Sequence, residues 1–387
     1  LIVSRVKGNR KKVLIVIDWF LPGTMSGGPV RSYANLIEHL TDEFEFLVVT
    51  RDSDFGSDRP YDTVISNTWT EFNDYTKVFY LSNDNVKREF LKELFQNTEF
   101  DIAYINGIYS WYFSILPIIL LKPLGKAIIV SARGMLNPQA FSVKGFKKKS
   151  FLKIASVFKL YNNVSFHATN ADEASFIKSI IGDKTLVQIA PNLPRKLRPS
   201  FQQRTQKQNP VSFINLARVS VEKGTLIMLK TLSNIEQPLK LDLYGPIHDE
   251  VYWTQCQTVI SQLPKHINVT YKGVLPSEKI PETLTDYDFF VLLSEGENFG
   301  HAIIEALSSG LPVLISDKTP WKALESKLIG WDVDIKNQYD IIKAFNEAIK
   351  MSEIEYSKCS KAAFEYAEAF IDNPEVLKQN KALFLNA

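Results

Sequence analysis

The stretch "DFFVLLSEGENFGHAIIEALSSGLPVLIS", Asp288 to Ser316, decides how the fold is read. A short apolar run (Asp288 to Leu293) leads into a polar loop, Ser294 to Asn298. A helix-length amphipathic segment opens near Phe299-Gly300, and a second apolar run follows at Pro312 to Ser316. Strand, helix, strand in that order predicts a βαβ unit in a buried parallel sheet.

The same alternation runs through the rest of the chain, which predicts an α/β protein. Expected strands of the first half are Val13 to Ile17, Phe44 to Thr50, Lys77 to Ser82, Asp101 to Asn106, Ala127 to Ala132, Ser165 to Thr169 and Leu186 to Ala190. A proline-, glutamine- and arginine-rich stretch with little apolar content then intervenes, and reads as a linker. After it the alternation restarts with "VSFINLA", "LKLDLYG" and "INVTYKG" before the stretch quoted above. Two doubly wound domains are expected: residues 1–192, a linker at 193–210, residues 211–365, and a terminal helix at 366–387 crossing back to the first domain.

The composition narrows the class. An apolar fraction of 45% with 23% charged residues is ordinary for a soluble globular protein, and a net charge of +2 argues against a nucleic-acid-binding surface. Cys256 and Cys359 are far apart, without metal-like spacing, and fit a reducing compartment. The opening "LIVSRVKGNRKKVLIVIDWF" has too short an apolar run for a secretory signal. The longest apolar stretch, Tyr109 to Leu121, is broken by Pro117 and too short to span a bilayer. A cytoplasmic protein is expected. The segment Phe141 to Asn163 is lysine-rich, free of acids and interleaved with apolar residues. Read as a helix, it puts Phe151, Ile154, Phe158 and Tyr161 near one face, a pattern that suits either contact with an anionic membrane or packing onto its own sheet.

Ligands in doubly wound sheets bind beyond the carboxyl ends of the strands, so chemistry is sought there. Glu297 sits in the loop of the opening stretch and Glu305 on its helix, where His301, Glu305 and Ser308 share a polar face. A helix start offers backbone N–H groups to an anion, and Gly300 permits close approach. Two carboxylates around such a site suit hydroxyls at the two ends of a ligand whose middle is anionic. A helix whose first acid complements the dipole and whose second is solvated gives the same letters. In "NLARVSVEKG", Arg218 and Lys223 bracket a loop and can neutralise a diphosphate; a pair of surface charges is the plain alternative. In "DWFLPGTMSGGPVRS", Gly27 and Gly28 precede a helix without matching the dinucleotide fingerprint, which argues against an NAD enzyme.

Taken together these residues resemble glycosyltransferase family 4, retaining enzymes of the GT-B fold: two Rossmann-like doubly wound parallel-sheet domains facing a cleft. The resemblance rests on Glu-x7-Glu in "ENFGHAIIE", on "ALSSGLPVL" after it, on Arg-x4-Lys-Gly in "ARVSVEKG" and on Gly-Gly in "MSGGPVRS". It implies a UDP- or GDP-sugar as co-substrate, with no further cofactor and no metal. Arg218 and Lys223 would hold the diphosphate, Glu297 the sugar hydroxyls, Glu305 the ribose, and the amides around Asn298, Phe299 and Gly300 the sugar and phosphate. Gly245 and Val274 would receive the base. Many members carry a histidine where this chain has "SARGMLNP", so Arg133 and Gly134 stand in its place. Arg133 and Asn106 fall on the acceptor side, and Asn170 and Glu173 resemble the family's domain-junction pair. The implied activity is transfer of a sugar, with retention, to a glycan or lipid-linked glycan. Rival readings are a nucleotide-sugar epimerase, a sugar phosphorylase needing a pyridoxal-binding lysine, and a nucleotide-sugar-binding protein without turnover.

Overall fold

Val13 and Ile15 belong to one apolar cluster and Leu14 and Val16 to another, so the first strand is buried on both faces. The period of two that places alternate side chains on opposite faces is filled with apolar residues at every step. A computed structural model describes residues 10–137, 145–196 and 204–387. The chain divides into two units, residues 1–193 with 374–387, and residues 194–373.

The first unit holds strands β1 (Lys11–Val16), β2 (Phe44–Arg51), β3 (Trp69–Asn73), β4 (Thr76–Leu81), β5 (Ile102–Asn106), β6 (Ala127–Ser131), β7 (Ser165–Ala168) and β8 (Val187–Ile189). They form one sheet in the order β3-β4-β2-β1-β5-β6-β7-β8, parallel except for the β3–β4 pair. The sequence pattern does not reveal β3, because "WTEFN" is a largely exposed edge strand with no apolar alternation. Helix Gly28–Leu40 covers one face with Tyr33, Leu36, Ile37 and Leu40, and helix Arg88–Asn97 the other with Leu91 and Phe95.

Helix Pro374–Leu385 closes this unit. Phe384 is fully buried, its ring 5.4 Å from Phe44 and 5.3 Å from Tyr104, and Asn380 donates to the Pro191 carbonyl at 2.8 Å.

The second unit holds β9 (Val211–Leu216), β10 (Leu239–Tyr244), β11 (Ile267–Gly273), β12 (Phe289–Leu292), β13 (Val313–Ser316) and β14 (Gly330–Val333), in the order β11-β10-β9-β12-β13-β14 and all parallel. Phe213 and Phe289 enter one core while Ile214 and Phe290 enter the other, the same two-sided burial. Of the stretch expected as a linker, Leu193 is buried in the first unit, and the part from Arg204 on is fastened to the second: Arg204 bonds the Leu284 carbonyl at 3.1 Å, Lys207 the Ile349 carbonyl at 2.6 Å, and the Gln208 amide Asp288. Residues 197–203 of that stretch lie outside the described residues.

The basic segment is a helix, Gly145–Val157, but its faces differ from the expectation. Phe151 packs inward with its ring 5.6 Å from Tyr109, and Tyr161 is buried. Phe146, Ile154, Val157 and Phe158 stand exposed among lysines, with Phe146 86% and Phe158 79% accessible. Residues 141–144 of the segment lie outside the description. Among the described residues no helix is long and apolar enough to cross a membrane.

The return of the terminal helix gives a test. Phe384→Ala removes a fully buried ring between Phe44 and Tyr104 and is expected to destabilise the first unit by about 3–5 kcal/mol. Urea denaturation followed by circular dichroism measures the loss.

Candidate active site

The strand order of the second unit reverses direction between β9 and β12, which makes that pair the topological switch point. The two loops leaving their carboxyl ends are locked backbone to backbone. Gly224 has φ +67°, and a Cβ there would lie 1.8 Å from the Leu293 carbonyl oxygen, so only glycine fits. The Glu295 amide donates to the Glu222 carbonyl at 2.8 Å.

This closure sets Lys223 Nζ 2.6 Å from Glu297 Oε1, with both side chains largely enclosed. By sequence alone Lys223 is half of a cation pair with Arg218, and Glu297 is a separate carboxylate. The structure makes them partners. Arg218 stands exposed in the same loop. The carboxyl of Glu222 is held below its usual range, first by its backbone hydrogen bond and further by Ser220, Arg218 and Lys223.

The helix after β12 is His301–Ser308, capped by Gly300 in the left-handed region at φ +81°. That φ favours glycine whether or not a ligand approaches, while a Cβ there would meet the movable end of a side chain, Ile303 Cδ1, at 2.7 Å. Trp321 Nε1 donates to the Phe299 carbonyl at 2.6 Å and fixes the turn, with Phe299 buried and Asn298 half-buried. The polar face shared by His301, Glu305 and Ser308 is largely covered. His301 and Ser308 are each 8% exposed, with the His301 ring 4.8 Å from Phe299. Ser308 Oγ turns back to the Ile304 carbonyl at 2.6 Å. Glu305 alone of the three is left partly open.

Glu305 faces Arg195, a residue that no sequence motif singles out. Arg195 Nη2 lies 4.0 Å from Glu305 Oε1 and donates to the Ser277 carbonyl at 2.9 Å and to Ser277 Oγ at 2.6 Å. Arg195 sits in the stretch read as a linker, where one arginine among several carries no signal. Gly245, at φ +143°, would place a Cβ 1.9 Å from the Ala217 carbonyl oxygen, and its amide bonds the Gly273 carbonyl at 2.9 Å. That joins Gly245 to the loop bearing Val274, which is 40% exposed. Among the described residues no cluster of His, Cys, Asp and Glu is arranged to hold a metal ion.

In the first unit Gly27 has φ +78° and caps helix Gly28–Leu40, and a Cβ at Gly27 or Gly28 would meet open space. Asn106 ends β5 with Oδ1 buried and without a hydrogen-bond partner among the described residues. Arg133, at φ +51°, bonds Asn192 Oδ1 and, at 3.2 Å, the Tyr104 hydroxyl, while its guanidinium lies 4.6 Å from the Tyr33 ring centre. Tyr104 in turn stands 2.6 Å from His167 Nδ1, and His167 Nε2 2.8 Å from the Ala190 carbonyl. Because that carbonyl can only accept, Nε2 carries the proton and Nδ1 accepts from Tyr104. Burial, with Arg133 nearby, pushes His167 down to about 3 and keeps it neutral. Asn170 and Glu173, which resembled a domain-junction pair, bond inside this unit. Asn170 caps helix Ala171–Ile181, and Glu173 accepts from the Gly134 amide at 2.6 Å and from Thr169.

Residues 198–366 match the family model described as "Glycosyl transferases group 1". A GDP-mannose:cellobiosyl-diphosphopolyprenol alpha-mannosyltransferase from Xanthomonas oryzae pv. oryzae (strain PXO99A) is 25% identical over 235 residues, 59% of this chain; the match spans 58% of that relative's length. Two solved structures cover nearly the whole chain. Sucrose-phosphate synthase from Thermosynechococcus elongatus has a TM-score of 0.73 at 16% identity, over 98% of this chain and 99% of its own. Anabaena Alr3699/HepE in complex with UDP-glucose has a TM-score of 0.71 at 16% identity, over 97% and 100%.

The Lys223–Glu297 pair makes the two cations unequal. Lys223→Met strands an enclosed carboxylate and is expected to cost about 1–3 kcal/mol of stability, whereas Arg218→Met should change it by less than about 0.5 kcal/mol. Thermal melts of the two ligand-free variants check this. Both units thus have the parallel-sheet architecture of the GT-B glycosyltransferases, and the second carries the match to the group 1 family.

Proposed function

We propose that the protein is a retaining glycosyltransferase that moves a sugar from a nucleotide diphosphate to an acceptor hydroxyl without a metal ion. The observation that carries this reading is the Lys223–Glu297 contact at the switch point, inside the segment that matches the group 1 family. A carboxylate and an ammonium held together and partly enclosed suit a ligand with hydroxyls beside a diphosphate. In this reading Lys223 and Arg218 take the diphosphate as Glu297 turns to the sugar hydroxyls. The Asn298, Phe299 and Gly300 backbone lies along the sugar and phosphate, Glu305 takes the ribose, and Gly245 and Val274 flank the base. Gly27 and Gly28 approach the donor from the first domain, and Arg133 and Asn106 meet the acceptor. The C–O bond to phosphate breaks with its electron pair on the diphosphate, whose growing charge the two cations offset. The acceptor oxygen forms the new bond and its proton passes to a phosphate oxygen.

The donor is a UDP- or GDP-sugar, which the UDP-glucose complex of the Anabaena protein and the GDP-mannose in the relative's name support as a class. The acceptor is a glycan or lipid-linked glycan of cell-surface polysaccharide synthesis, met at the cytoplasmic face of the membrane. In the proposed division of labour residues 1–192 bind acceptor, 211–365 bind donor, and 193–210 join them. Support for membrane contact comes from the exposed Phe146, Ile154, Val157 and Phe158 among lysines.

Two experiments test the reading. Glu305→Ala is expected to weaken binding of the free nucleoside diphosphate by about tenfold, while Glu297→Ala leaves that affinity nearly intact and lowers transfer about a hundredfold. Calorimetry and product assays with a panel of UDP- and GDP-sugars separate the two; equal loss of nucleotide affinity in both variants would refute the division of roles. For the membrane, the protein should sediment with anionic and not with neutral vesicles. Changing the exposed Lys147, Lys149 and Lys153 to Glu should abolish this, at about 1 kcal/mol per lysine.

A further inference from the structure

We propose that Arg195 is a positioning residue that sets Glu305 for the nucleotide ribose and ties it to the loop that receives the base. The inference rests on the reading of Glu305 as the ribose carboxylate. It concerns a residue outside the segment matched by the family and outside every motif of the sequence.

Three observations carry it. Arg195 Nη2 is fastened to Ser277 twice, to the carbonyl at 2.9 Å and to Oγ at 2.6 Å, so the guanidinium is fixed rather than swinging in solvent. From that anchor it stands 4.0 Å from Glu305 Oε1, and the two side chains are only 22% and 10% exposed. Ser277 lies three residues beyond Val274, on the segment that Gly245 joins through the Gly273 carbonyl.

The geometry has a chemical consequence. A carboxylate this enclosed is costly to keep charged without a nearby cation. At 4.0 Å the contact is ionic and too long for a hydrogen bond, so Arg195 offsets the charge without itself occupying Oε1. The guanidinium is planar and carries its donors in a rigid fork, so fixing one edge on Ser277 also fixes the direction from which charge reaches Glu305. Ribose and base recognition then share one anchor. Movement of the Ser277 segment shifts Glu305's countercharge, which makes the ribose contact sensitive to how well the base seats.

The test uses the full chain and whichever of UDP and GDP the wild type binds, each beside its 2′,3′-dideoxy analogue. Wild type should prefer the ribonucleotide, and Glu305→Gln should lose most of that preference. Arg195→Met should lose about tenfold in ribonucleotide affinity with little change for the dideoxy analogue. It should raise the donor KM and leave kcat at saturating donor nearly unchanged. Arg195→Lys, which keeps the charge and loses the fork, should fall between the two and serves in place of Arg195→Met should that variant fail to fold. Ser277→Ala should reproduce part of the loss. If the Arg195 variants keep the full ribose preference while Glu305→Gln loses it, Arg195 has no positioning role and the ribose reading of Glu305 stands. If Glu305→Gln also keeps it, the ribose reading fails and this inference falls with it.

Discussion

The contact between Gly224 and the Leu293 carbonyl governs the second unit. A side chain at Gly224 would place its Cβ 1.8 Å from that oxygen, so the loops after β9 and β12 can close only because one partner has no Cβ. Closure makes the amide link from Glu295 to Glu222 and brings Lys223 onto Glu297. The same device recurs at Gly245 against the Ala217 carbonyl, where β10 joins the edge formed by the β9 loop. The carboxyl ends of neighbouring strands are thus sealed by backbone approach, and polar side chains are left to define what lies above them.

Those polar side chains carry their charges in matched pairs. Lys223 meets Glu297, and Arg195 stands near Glu305. Each acid is substantially enclosed, and an enclosed charge without a counterion would weigh against the unit's stability. The arrangement lets the ligand-free protein keep two carboxylates at one sheet edge, Glu297 against Lys223 and Glu305 near an arginine that Ser277 holds in place.

The first unit solves a related problem with neutral groups. Arg133 is held by Asn192, Tyr104 and the face of Tyr33, and the chain of hydrogen bonds continues through a neutral His167 to a backbone carbonyl. Each link has a defined donor and acceptor, so the left-handed backbone at Arg133 is fixed by its surroundings. Glu173 braces the same turn through the Gly134 amide.

The sequence by itself determined the alternation of strands and helices and the two-sided burial of both sheets. Period-two and helical patterns are local properties, visible wherever apolar residues recur. It also placed Glu297 on a loop and Glu305 on the helix after it, because seven intervening residues span a turn and the first coils of a helix. It did not reveal β3, whose edge position leaves no apolar pattern, or the burial of His301 and Ser308, which depends on what the fold packs over that helix face. Nor could it pair Lys223 with Glu297 across 74 positions or pick Arg195 from a proline-rich stretch. The Lys223–Glu297 pairing follows from β9 and β12 being neighbours in the sheet though distant in the chain, and Arg195 is picked out only by its anchor on the segment after β11. Strand order is settled by how helices pack on both faces, and no local period records it.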